Sequence, residues 1–150
     1  MKSLSVDLFE KLEASGLVTK HVCKRSGVCT ATITKQRAGD NNCGQRVYDR
    51  MVSAIIEMAA EREAKIAKVE QDIASADTSS GYCDSALFQS LIDAYGFQRK
   101  AVRQASGVTS AGFPSIYDRC QTSLLEAVAD ALRKMHEERK EKMIQAGLII

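Results

Sequence analysis

Residues 17–44 read LVTKHVCKRSGVCTATITKQRAGDNNCG, from Leu17 to Gly44. Thr19 stands where a short helix would be capped, Val22 and Cys23 turn to one apolar side, and Lys20, Lys24 and Arg25 turn to the other. Gly27 supplies a turn, because a positive φ costs little without a Cβ. Thr30 then caps a second short helix, with Ile33 as its buried anchor and Ala31 small where helices cross closely. Left on its surface are Thr30, Thr32, Thr34, Lys35, Gln36 and Arg37, which suit phosphates and base edges better than a protein core. Gly39 to Gly44 is a loop by composition, and Asn41 and Asn42 suit a phosphate backbone as well as they suit solvent.

The rest of the composition agrees with a helical chain. Of 150 residues, 45% are hydrophobic, and only one proline and nine glycines interrupt them. β-Branched residues rarely alternate with polar ones, so the expected class is all-α. The net charge of +2 says little, but its distribution is uneven. Between Thr19 and Arg50 seven Lys/Arg stand against Asp40 and Asp49, a local +5. Between Glu57 and Asp77 six acids outweigh Arg62, Lys65 and Lys68, a local −3. The positive charge is concentrated on the opening motif, the footprint that nucleic acid attracts.

Outward from the motif, Leu4 to Ala14 has the apolar spacing of a helix, with Ser5 as N-cap, Leu8 and Phe9 inward, and Gly16 as terminator. From Gln45 to Ala74 nothing breaks a helix. Thirty residues make about 45 Å at 1.5 Å each, more than a small domain covers. Val47, Met51 and Ile55 are expected to close a first core. Ile66, Val69 and Ile73 form a narrow seam, expected to pack on the second half of the chain or on the same helix of a partner.

Residues 75–85 are a small, polar linker, after which the pattern begins again. Phe88 and Leu91 match Phe9 and Leu12 at an offset of 79, and Asp93 and Ala94 match Glu13 and Ala14 at an offset of 80. Lys100 and Val102 match Lys20 and Val22, and Ser106-Gly107-Val108 matches Ser26-Gly27-Val28, an offset of 80. Beyond these the second copy is about three residues shorter, and Leu124, Val128 and Leu132 resume the long helix. The chain therefore reads as an internal duplication. Gly112 and Pro114 interrupt the second copy's recognition segment, but Gln98, Arg99, Lys100, Ser115 and Arg119 keep it polar and basic. This copy is read either as a second DNA contact or as a unit turned to dimerisation or partner binding. The last helix, ending near Gln145, leads to an apolar tail, Gly147 to Ile150, that either docks or frays.

Val22-Cys23, Ser26-Gly27-Val28, Ile33-Thr34-Lys35 and Gly39 resemble the helix-turn-helix of lambda-repressor-like regulators, the Cro and XRE type, over residues 5–57. That family usually has a small residue where Cys23 stands and a large apolar one where Gln36 stands, so Gln36 is a departure. The resemblance implies a recognition helix in the major groove and a loop along the phosphates.

Other chemistries find little support. His21, Cys23, Cys29 and Cys43 fit no common zinc spacing, and no Gly-Lys-Ser/Thr phosphate loop occurs. Five cysteines without a CxxC pair, no secretory leader pattern and no apolar run of membrane-spanning length suggest free thiols in the cytoplasm. No enzyme activity, cofactor, metal, membrane or small-molecule substrate is expected.

The expectation is thus an all-α protein of two units, residues 1–74 and 86–150, joined by a long helix and the 75–85 linker. It would act as a sequence-specific double-stranded DNA-binding repressor and a homodimer. Thr30, Thr32, Lys35, Gln36 and Arg37 would read bases, and Thr19, Lys20, Lys24, Asn41 and Asn42 would hold phosphates. Competing readings are a protein-interaction module, such as an antirepressor or adaptor, and a non-specific architectural or replication-associated DNA binder. Two-unit small regulators fit phages and mobile elements, though no residue marks that source.

Overall fold

The structure is a computed structural model that describes residues 3–37, 39, 43–108 and 120–149. Among these the chain is all-α, apart from one two-stranded ladder. Its elements are α1 (Leu4–Ser15), α2 (Thr19–Ser26), α3 (Thr30–Arg37), α4 (Gln45–Ser75), β1 (Tyr82–Cys83), α5 (Ser85–Tyr95), α6 (Arg99–Ser106), β2 (Cys120–Gln121) and α7 (Thr122–Gln145). None of the described helices is long and apolar enough to cross a membrane.

Two compact units form, but they are not the two contiguous halves expected. The first comprises Met1–Glu61 together with Glu138–Ile150, and the second comprises Arg62–Glu137. Each long helix is thereby divided. Residues 45–61 of α4 belong to the first unit and 62–75 to the second, while residues 122–137 of α7 belong to the second and 138–145 to the first. The reason is length: each helix carries more apolar stripe than its own short helices can cover.

In the first unit, Leu8, Leu12, Val22, Cys23, Ile33, Met51 and Ile55 form the core. Met143 and Leu148 join them, so the apolar tail docks rather than frays as far as Leu148. A paired turn stops α7: Leu148 N–H donates to the Met143 carbonyl at 2.9 Å and Gly147 N–H to Ile144 at 3.0 Å. Lys11 Nζ donates to the Ala146 carbonyl at 2.6 Å, a cation at the negative end of the helix. In the same unit Arg139 is buried, and its Cδ lies 3.4 Å from where a Cβ on Gly16 would stand. A side chain at Gly16 would meet that arginine as well as strain its φ of 67°.

Caps fall elsewhere than expected. Ser3, not Ser5, caps α1, its hydroxyl accepting from Val6 N–H at 3.2 Å. Ser5 is buried two residues on and accepts the Cys43 N–H at 2.6 Å, which ties the chain after α3 onto α1. Val18 rather than Thr19 precedes α2, with no side-chain cap. Cys29 precedes α3, its carbonyl accepting from Thr32 and Ile33, so Thr30 is already helical.

The second unit packs Phe88, Leu91, Ile92, Tyr95, Val102, Leu125, Val128 and Leu132 together. Ile66 and Val69 are buried in that core and Ile73 packs against it, so the seam of α4 is consumed within the chain and not left for a partner. Glu70 on the same stretch accepts from Arg133 at 2.7 and 3.1 Å and from the Tyr95 hydroxyl at 2.7 Å.

Burial supports the duplication and corrects its first offset. Ser5, Leu8, Leu12 and Ser15 are buried in α1, and Ser85, Phe88, Ile92 and Tyr95, each 80 residues on, are buried in α5. Gly16 and Gly96 both end their helices with a left-handed φ. The offset is therefore 80 from the start, because Leu8 rather than Phe9 is the fully buried residue of its turn. In the long helices Met51, Ile55, Arg62 and Ile66 correspond to Val128, Leu132, Arg139 and Met143, and all eight are buried.

Candidate nucleic-acid interface

The site is built on α2, its turn and α3. The turn is held by Ser26, whose Oγ donates to the Cys23 carbonyl at 3.1 Å and accepts from Val28 N–H at 3.3 Å. Gly27 sits at φ 76° and its N–H donates to the Cys23 carbonyl at 3.0 Å. A side chain at this φ would be strained although space is open around it. The second unit repeats the device: Ser106 Oγ donates to Val102 at 2.7 Å, Val108 N–H returns to that Oγ at 3.5 Å, and Gly107 has φ 73°.

Helix α3 has one inward edge and one outward face. Ile33 and Gln36, three residues apart, are its buried pair. Thr30, Ala31, Thr34, Lys35 and Arg37 are exposed, and Thr32 is half-buried. Gln36, expected on the outward face, is instead buried at the inward position that helical spacing from Ile33 dictates. Its Oε1 is buried without a hydrogen-bond partner among the described residues. Thr34 and Ala31 complete the outward face in its place. Helical spacing carries the signal: with Ile33 and Gln36 both inward, Ala31 and Thr34 fall on the opposite side. Thr34 is exposed, and its Oγ1 donates to its own helix, at 3.0 Å from the Thr30 carbonyl.

The cations divide into committed and free-standing groups. Arg25 Nη1 and Nη2 donate to the two carboxylate oxygens of Glu61 at 2.7 and 2.8 Å, and Glu57 lies 3.7 Å away. Those acids raise the Arg25 pKa and remove one charge from the local positive excess. Arg37 folds back: its guanidinium carbon is 4.9 Å from the Phe9 ring centroid and its Nη2 donates to Thr19 Oγ1 at 3.4 Å. Thr19 and Arg37 thus form one polar group linking α2 and α3. Lys20 and Lys24 are exposed and line an open cleft of about 670 Å³ with Cys29 and Thr30. Below that cleft burial pushes the Cys23 thiol up, while the Thr30 hydroxyl pulls it down.

The expected set is thus only partly brought together. Thr30 and Lys35 are exposed on α3, Thr32 is half-buried beside Gln36 and Arg37 folds back to Thr19, while Lys20 and Lys24 are exposed on α2. Asn41 and Asn42 lie outside the described residues, as do Ser115 and Arg119. In the second unit Gln98 and Lys100 are exposed at the start of α6, whereas Arg99 is bonded back to Gln89 of α5. In comparisons with known proteins, no family model, no curated protein and no solved structure matches this chain.

Proposed function

We propose that this chain is a sequence-specific double-stranded DNA-binding transcriptional regulator, acting as a repressor, with α3 in the major groove. The observation that carries the reading is the division of α3: Ile33 and Gln36 close the core while Thr30, Thr34 and Lys35 face outward beside Lys20 and Lys24. Lys35 reaches a guanine edge, and the Thr34 methyl and lone pairs meet a thymine or an amino group. Lys20 and Lys24 neutralise phosphates, and Thr19 with Arg37 positions the backbone. As a two-fold dimer the protein reads half-sites about 34 Å apart. Gln98 and Lys100 of the second unit add contacts to flanking DNA.

A protein-interaction module is the rival. It would need an apolar outer face on α3, yet the large exposed apolar residues Val6, Val18, Ile56, Tyr82 and Ile144 all lie outside that helix. Selection of bound duplexes from a random pool, with salt titration and light scattering, tests the proposal. A recovered consensus and a steep loss of affinity with salt are expected. Salt-dependent binding without a consensus would favour the architectural reading, and no binding would remove the DNA reading.

A further inference from the structure

Cys83 and Cys120 stand directly opposite each other in the antiparallel ladder of β1 and β2. Residues so paired point to one face with Cα atoms about 4.5–5.5 Å apart. That separation lies inside the ~4.4–6.8 Å that a disulfide spans. Both cysteines are buried in the core of the second unit. Next to them, Thr122 N–H donates to the Gly81 carbonyl at 3.0 Å and holds the ladder in register.

The duplication supplies an internal comparison. Cys43 occupies the place of Cys120 in the first unit, and each thiol donates to the carbonyl of its following residue, at 3.4 Å to Gly44 and 3.5 Å to Gln121. Where the second unit has Cys83, the first has Ser3, the cap of α1. The facing thiol belongs to the second unit's copy of the pattern.

We propose that Cys83 and Cys120 form a modification site that closes to a cross-strand disulfide when the chain meets a low-molecular-weight disulfide oxidant. The step is two exchanges. One cysteine loses its proton and its sulfur attacks the oxidant's S–S bond, releasing one small thiol and leaving a mixed disulfide. The second cysteine loses its proton and attacks the protein sulfur of that mixed disulfide, releasing the second small thiol. Two S–H bonds become one S–S bond, and the oxidant is reduced to two thiols. The bond closes residues 84–119, the segment that carries α5 and α6, into a loop. Burial, reinforced by the neighbouring Cys83 thiol, pushes the Cys120 thiol up to about 12. Both thiols are closed off from solvent, so the oxidant reaches them when the ladder opens, and oxidation runs at the pace of that opening.

The test incubates the full chain with oxidised glutathione, alkylates it in denaturant and maps its peptides by mass spectrometry. A Cys83–Cys120-linked peptide that dithiothreitol reverses is expected, with Cys43 still alkylated. The oxidised chain should melt roughly 10 °C higher, through the closed loop. Cys29 is exposed and reports that the oxidant is active. Conversion of Cys29 to its mixed disulfide with no Cys83–Cys120 peptide, even in mild denaturant, overturns the proposal. The wild-type map decides this without variants; Cys83→Ser and Cys120→Ser should abolish both the linked peptide and the melting shift.

Discussion

The Arg25 guanidinium spans from α2 to the Glu61 carboxylate of α4 through two hydrogen bonds of 2.7 and 2.8 Å, while Lys24, its neighbour in sequence, stands exposed over the cleft before α3. Two adjacent cations on one short helix thus have different work. Lys24→Ala should flatten the salt dependence of DNA affinity by about 0.9 in the log–log slope. Arg25→Ala should leave that slope unchanged and slightly lower the melting temperature. Salt titrations of both variants on one duplex measure the contrast, and equal slopes would place Arg25 among the phosphate contacts.

Gln36 leaves a buried Oε1 without a partner among the described residues. Gln36→Leu removes an unpaired acceptor at nearly constant shape and should raise unfolding free energy by about 1–2 kcal/mol. The DNA consensus should stay as it is. Urea melts and a repeat of the sequence selection check both; a changed consensus would return Gln36 to the reading face.

Lys35 is the exposed cation at the centre of the outward face of α3. Lys35→Ala should cost about 1–3 kcal/mol of discrimination at one base position and leave the others intact. Affinities for single-base variants of the selected site give the readout, and a uniform loss at every position would make Lys35 a phosphate contact.

Met143 is almost fully buried in the first unit although it lies in the last helix of the chain. Met143→Ala should destabilise the protein by about 2–5 kcal/mol. Amide hydrogen exchange should show the loss in α1, α2 and α3. Protection lost only within α7 would contradict the division of the long helices.

Glu70 responds to pH. Burial pushes its carboxyl up, but hydrogen bonds from Arg133 and the Tyr95 hydroxyl outweigh this and hold it below its ordinary value. Since its folded pKa is depressed, its contribution is full above the unfolded value and is lost as pH falls through the folded one. The wild type should therefore lose stability as pH falls through and below the ordinary carboxylate range, and Glu70→Gln, weaker at neutral pH, should lose less there. Urea midpoints across that range decide it.

How much of this was legible follows from which residues act locally. The all-α class, the glycine stops at Gly16 and Gly27, the turn at Ser26 and the repeated Ser-Gly-Val are set by neighbours in sequence, and each has its counterpart in the structure. Ser5, Thr19 and Thr30 read as caps yet lie inside their helices, because a serine or threonine near a helix start does not say whether its hydroxyl serves the helix or another segment. Ser5 serves Cys43, 38 residues away. Chemical type alone puts Gln36 among base readers, whereas its three-residue spacing from Ile33 makes it inward.

The sequence by itself determined the periodic elements, the charge concentrated around the first helix pair and the duplication, since periodicity, composition and repeats need no partner to be read. Only the tertiary structure decided that Arg25 belongs to Glu61, that Arg37 folds onto Phe9 and Thr19, that Ile66 and Val69 are covered within the chain, and that α4 and α7 are each divided between two cores. These depend on which apolar stripe finds cover and which charge finds a counter-ion. Both are contests among segments far apart in the chain, and folding settles them by burial area and distance rather than by local pattern.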